Sequence, residues 1–178
     1  MKNAILMAAI GTALVCYGGR TSAQGNAMAT LKDGQGNVVG TATIQASPGG
    51  GLQLNFNITK LPPGDHGVHI HNVAKCEGPD FATAGPHFNP TNKKHGTQSP
   101  DGPHGGDIAA NLHVEADGKV ARTLTDPRLT LGPATDASSI WADGGKAIVI
   151  HAAADDMKTD PSGNSGVRIA CGVIEKAK

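Results

Sequence analysis

Residues 52–59, Leu-Gln-Leu-Asn-Phe-Asn-Ile-Thr, alternate apolar and polar side chains without a break. Strand side chains leave the backbone on opposite faces in turn, so this period of two describes a strand with one buried and one wet face. The same pattern, weaker, runs upstream through Ala27–Lys32 and Val38–Gln45, joined by Asp33-Gly34-Gln35-Gly36-Asn37, a hairpin connection. Downstream, Leu61–Gly67 reads as a turn into a Val68–Asn72 strand. Asp107–Ala116 and Val120–Thr125 flank Asp117-Gly118, the strongest short hairpin signal in the chain. Ala147–Ala152 and Arg168–Ile174 supply two more strands. About eight short strands, no amphipathic helix, and 25 glycines and 11 prolines placed mainly between the strands indicate one all-β domain, an antiparallel sandwich or closed barrel.

One stretch does not fit a plain barrel. Val68–Asp107, VHIHNVAKCEGPDFATAGPHFNPTNKKHGTQSPDGPHGGD, carries five of the chain's eight histidines, a cysteine and a closing aspartate. His69 and His71 are two apart in a strand pattern, so both leave one face while Val68 and Ile70 enter the other. Two imidazoles at that spacing can converge on one metal ion. His87, His95, His104 and Asp107 lie in a Gly/Pro/Asn-rich run with no periodicity. A loop that long in a compact domain needs something to order it, and a metal ion is sufficient. Further on, Ala147-Ile148-Val149-Ile150-His151 is a buried-strand pattern ending in one more imidazole at the mouth of a second loop.

The ends of the chain bound where it works. Lys2 precedes an apolar run from Ala4 to Val15, and Thr21-Ser22-Ala23 offers a small-x-small cleavage pattern. Residues 1–23 therefore read as a secretory signal, too short in its apolar core for a membrane span, with residues 24–178 the mature domain, periplasmic or secreted. Removing them takes away Cys16 and leaves Cys76 and Cys171. In an exported chain that even count reads as one disulfide, which closes a 95-residue loop and contributes about 4–5 kcal/mol in the chain-entropy model. Lys2 and Arg20 go with the leader, so the overall charge moves from zero to about −2. With no basic excess and few aromatics, neither a nucleic-acid nor a membrane surface is expected of the mature chain.

The segments GVHIH (67–71), GPHFNP (85–90), the His95/His104/Asp107 series, VIHA (149–152) and RIACGVI (168–174) resemble copper/zinc superoxide dismutase of the exported bacterial type, over about Asn26 to Ile174. The resemblance implies an eight-stranded antiparallel Greek-key barrel with two long functional loops. It implies copper held by His69, His71, His87 and His151, and zinc held by His87, His95, His104 and Asp107, with His87 bridging the two. It implies dismutation of superoxide to dioxygen and hydrogen peroxide by alternate reduction and oxidation of the copper, with His87 and Arg168 as the catalytic side chains. Asp155 matches a carboxylate that links a copper histidine to a zinc histidine. His66 and His113 match no ligand, and His113, on a face with Asn111 and Glu115, reads as a solvated strand histidine. Exported members occur as monomers and as homodimers, so the resemblance leaves that open.

The chain departs from the family at one place. The loop 152–167 is short and carries Asp155, Asp156 and Asp160 against Lys158 alone, a weak source of positive field, so Lys93 and Lys94 are candidates for steering the anion. Two rival functions fit the residues less well. A zinc hydrolase would need a carboxylate base beside His69/His71, and none is in position. A copper-buffering domain would lack part of the copper set or add exposed Met or Cys ligands, and this chain does neither.

Overall fold

A computed structural model describes residues 27–177; the expected signal sequence and its cleavage point lie outside them. Ten strands follow in order: β1 (Ala27–Asp33), β2 (Val38–Ala46), β3 (Leu52–Ile58), β4 (Gly64–His66), β5 (Val68–His71), β6 (Leu112–Val114), β7 (Val120–Asp126), β8 (Ala147–His151), β9 (Arg168–Val173) and β10 (Glu175–Lys176). Eight of them form one sheet in the order β5-β8-β9-β1-β2-β3-β7, with β10 on β1, while β4 pairs with β6. Every ladder is antiparallel. The chain leaves β3 and returns to its side only as β7, with residues 59–119 crossing over between them, so the sheet curls on itself as the Greek-key expectation requires. No helix among the described residues is long and apolar enough to cross a membrane.

The period of two decides the core. Leu52, Leu54, Phe56 and Ile58 are all buried, packed with Ala42, Ile44 and Leu124 from the flanking strands. Their polar neighbours form an outer ladder in which Gln45 meets Gln53 and Thr123 donates to Asn55.

Three local expectations are corrected. The Leu61–Gly67 turn contains strand β4, whose Gly64, Asp65 and His66 pair with Val114, His113 and Leu112. The strand expected over 107–116 shrinks to Leu112–Val114, because the backbone around Asp107 is committed to the histidine cluster described below rather than to a ladder. Asp117-Gly118 does make the turn, with Gly118 at φ 78°. Its flanking strands nevertheless do not form a continuing ladder, since β7 pairs over seven positions with β3 and β6 pairs with β4.

The β5-β8-β9 corner has two apolar faces, and that positions the site. Val68, Ile70, Ile148, Ile150 and Ala170 point into the main core. Ala147, Val149 and Cys171 point outward into a second cluster with Phe81 and Ala84. His69 and His71 leave on that outer side, so the imidazoles stand outside the barrel under the long loop. The loop is laid along β5 by main-chain bonds, Phe88 N–H to Ile70 O (2.8 Å), Ile70 N–H to Gly106 O (2.9 Å) and Gly106 N–H to Phe88 O (2.8 Å). The Cys76–Cys171 disulfide, Cα to Cα 5.6 Å, fastens the first part of the loop to β9.

Candidate metal centre

Six histidines and two aspartates converge under the loop. β5 brings His69 and His71, β8 ends on His151, and the loop bridges opposite β5, His71 to His87 and His69 to Asp107, carry the other side inward. Within 4.8 Å of one another the donor atoms form two groups, His69/His71/His87/His151 and His69/His87/His95/Asp107. His104 joins the second group through Nδ1, 3.2 Å from Asp107 Oδ1. The Nε2 of His69 is already held by Asp155, and its Nδ1 faces the first group.

In the first group each ring spends one nitrogen on an acceptor. His71 Nδ1 donates to Gly85 O (2.8 Å), His151 Nδ1 to Gly166 O (3.1 Å), and His69 Nε2 to the Asp155 carboxylate (2.8 Å). An imidazole that donates from one nitrogen presents a lone pair at the other. The second nitrogens, His69 Nδ1, His71 Nε2 and His151 Nε2, together with His87 Nε2, are buried and have no hydrogen-bond partner. Four unpartnered nitrogens facing one another out of water are costly for any fold unless a cation sits among them. Burial also keeps these rings unprotonated. It lowers His69 to about 3 against the pull of Asp155, lowers His151 to about 4, and holds His71 well below the ordinary imidazole value. Neutral imidazole is the form that binds a metal.

The second group is built around one carboxylate oxygen. Asp107 Oδ1 lies 2.8, 3.1 and 3.2 Å from Nδ1 of His87, His95 and His104. A tetrahedron with donors about 2.0–2.1 Å from its centre has edges of about 3.3 Å, and the three edges that meet at Oδ1 are close to that, so these four residues could hold a zinc-sized ion. Oδ2 of the same carboxylate accepts Gly96 N–H and His104 N–H, which fixes its orientation. Burial alone would raise the Asp107 carboxyl, but His104, His87 and His95 outweigh it and hold it far below the usual range. His95 lies between two carboxylates, with Asp155 Oδ1 3.0 Å from Nε2. Burial works to lower it, yet Asp107 and Asp155 together raise it to about 9.

Asp155 therefore joins the groups, one oxygen on His69 and the other on His95. Its backbone is gripped by Asn111, which donates to Asp155 O (3.0 Å) and accepts Asp155 N–H (2.8 Å). Gly163, at φ 64°, lies so close that a Cβ there would fall 1.8 Å from Asp155 Oδ1.

Arg168 opens β9 directly opposite His151, and its guanidinium donates to Phe81 O (2.6 Å) and Gly85 O (2.8 Å). Gly85 O is also the acceptor for His71, so this charge is fixed beside the four unpartnered nitrogens while staying half-exposed. Lys93 and Lys94 line a different groove of about 910 Å³ that reaches His87 and His104. Lys94 is paired with Asp160 at 3.3 Å, so its field is partly cancelled. The acids of loop 152–167 are consumed by structure. Asp156 accepts Lys158 N–H, Thr159 N–H, Thr159 Oγ1–H and an Asn164 N–H, and Asp160 accepts His95 N–H.

His113 stands in solvent beside Asp65, as expected. His66 has more to do than its lack of a ligand match suggests. It is buried between the carbonyls of Pro62 (2.8 Å) and His151 (2.7 Å), and so fixes the backbone of a site histidine. Asn111 and Gly163 are likewise not legible as site residues in the sequence. A Gly in Ser-Gly-Asn is visible as a turn residue, but nothing local shows which carboxylate it must clear.

Residues 38–174 match the model of the family described as copper/zinc superoxide dismutase. The chain is 40% identical over 148 residues to Cu-Zn superoxide dismutase 1 of Aquifex aeolicus, covering 83% of this chain and 86% of that one. It is 36% identical over 169 residues to the Cu-Zn superoxide dismutase of Caulobacter vibrioides, covering 94% and 96%. The crystal structure of a SOD-like protein from Bacillus subtilis superposes with a TM-score of 0.77 at 40% identity, covering 82% of this chain and 95% of that one.

Proposed function

This chain belongs to the copper/zinc superoxide dismutase family, and we propose that His69, His71, His87 and His151 hold its copper while His87, His95, His104 and Asp107 hold its zinc. The observation that carries the assignment is the ring of four buried nitrogens without partners, beside a carboxylate oxygen touched by three more. Imidazole-only donors suit the copper couple, and a closed His3Asp set suits a structural zinc.

A copper ion held by those four histidines would supply the one-electron chemistry by which one superoxide gives dioxygen and a second, with two protons, gives hydrogen peroxide. The residues supply the rest. Arg168, always ionised and held rigidly by two carbonyls, attracts the superoxide anion and sets where it docks. His87 faces both groups. Its Nδ1 would stay with the Asp107 set while its Nε2, when not engaged with copper, would carry one proton to the departing peroxide, solvent supplying the second. Asp155 holds His69 and His95 in fixed orientation, one ring on each side of the bridging His87. Lys93 adds longer-range attraction, with Lys94 contributing less because of Asp160.

We also propose that the mature domain spans residues 24–178 and is exported to an oxidising compartment; the disulfide supports that setting. The test is elemental analysis with copper spin resonance on the loaded protein, alongside superoxide consumption by copper/zinc and zinc-only forms. One copper and one zinc per chain, a copper signal that responds to replacement of the zinc and ceases to do so in His87→Ala, and activity confined to the copper form are expected. Two equivalent, independent zinc sites would refute the assignment.

A further inference from the structure

The zinc-side carboxylate is braced from outside the histidine cluster. Asp126 ends β7 wholly buried, and its Oδ1 accepts Arg128 N–H (2.7 Å) while its Oδ2 accepts from the Arg128 guanidinium (3.0 Å). The same guanidinium nitrogen donates to the main-chain carbonyl of Asp107. One side chain thus connects the end of a barrel strand, seven ladder pairs long, to the residue whose carboxylate organises three imidazoles.

We infer that Arg128, oriented by Asp126, is a positioning residue for the zinc ligand Asp107; this rests on the reading of His87, His95, His104 and Asp107 as the zinc set.

Two physical points favour positioning over plain stabilisation. Asp126 is fully buried and Arg128 partly so, and an ion pair with a buried partner is a weak source of folding energy, because desolvation offsets much of the attraction. Here Arg128 also leaves its Nε buried without a partner, a cost an apolar pair would avoid. Second, the carboxylate of Asp107 is oriented by Gly96 N–H and His104 N–H, both within the loop it is meant to organise. That loop end is already tied to β5 through Ile70 N–H to Gly106 O and the His69–Asp107 bridge; the Arg128 bond adds a second tie, from the end of β7 to the carbonyl of Asp107 itself, so that the residue is held from two strands of the barrel rather than one.

The test uses the loaded protein and its metal-free form for wild type, Arg128→Met, Arg128→Lys and Asp126→Asn. Zinc release to a chromogenic chelator is timed, and the visible spectrum is recorded with cobalt in place of zinc. Arg128→Met is expected to release zinc at least tenfold faster and to change the cobalt band shape, with the copper signal of the zinc-loaded form retained. Arg128→Lys, which keeps a donor but not the fork, should fall between. The melting temperature of the loaded form should drop more than that of the metal-free form, since the brace acts through the ion. Equal drops in both forms with unchanged zinc release would show a merely structural pair and overturn the inference. Should Arg128→Met fail to fold, the same readouts on Arg128→Lys and Asp126→Asn decide it. A wild-type chain that takes up neither zinc nor cobalt would sink the reading of the zinc set itself, and the brace with it, whereas zinc held normally in every variant sinks the brace alone.

Discussion

Gly163→Ala should be among the most damaging single-methyl changes in the protein. The new Cβ would lie 1.8 Å from Asp155 Oδ1 and 2.7 Å from His95 Nε2, so the carboxylate has to withdraw from the bridge. That bridge is two bonds, 2.8 Å to His69 and 3.0 Å to His95, made by a side chain that is only 1% exposed. Hydrogen bonds to a charged group contribute about 1.5–3 kcal/mol each, and a side chain in the left-handed region at φ 64° adds about 1–2 kcal/mol. Loop relaxation returns part of this, so a loss of about 3–5 kcal/mol is expected, roughly 10 °C in melting temperature for a domain of this size. Gly36→Ala separates the two contributions. Gly36 has φ 87°, and a Cβ there would meet no atom within 4 Å, so it should show the backbone cost alone, about 1–2 kcal/mol. Thermal and urea unfolding of both variants, with zinc retention measured on each, gives the comparison. If Gly163→Ala costs no more than Gly36→Ala, the carboxylate bridge does not have the importance assigned to it.

Three further outcomes are expected. The metal-free protein should lose stability as pH falls from 7 to 5. His69 and His151, lowered by burial to about 3 and about 4, stay neutral in the fold while the unfolded chain takes up protons near 6.5. Each contributes a loss of about 2 kcal/mol, partly offset by roughly 1 kcal/mol from His95, which is raised to about 9; a flat melting temperature over that range would contradict it. Arg168→Ala should cut superoxide consumption with copper still bound, and Lys93→Ala should flatten the fall in rate with added salt, both read by pulse radiolysis. A wild-type rate indifferent to salt would confine Arg168 to a local role. Reduction of Cys76–Cys171 should lower the melting temperature by an amount equivalent to about 4–5 kcal/mol and speed metal loss, because the bond ties the loop to β9; unchanged metal retention after full reduction would refute that coupling.

Much of this protein is legible in one dimension because the interactions that form it are periodic or local. Leu52–Ile58 announces its strand and its buried face because side-chain direction alternates with every residue, and His69 and His71 share a face for the same reason. The Asp33–Asn37 turn is equally readable, since Asp33 accepts hydrogen bonds from Gln35 and Asn37 within its own segment. Partnership across the chain is not written that way. Asp117-Gly118 makes its turn, yet β7 goes to β3, because seven pairs with a long apolar strand outweigh a local hairpin. Strand β4 is invisible in Gly64-Asp65-His66, three residues with no alternation, and exists only because β6 lies beside it. The histidines could be named from the residues and their resemblance, but not the features that make them one site. Which nitrogen each ring leaves unspent depends on Gly85 O, Gly166 O and Asp155, up to 86 residues away. Likewise Arg128 and Gly163 gain their meaning only when the folded barrel sets a carbonyl or a carboxylate against them. Such contacts have no sequence period; they are products of loop closure, and closure is decided by the whole fold.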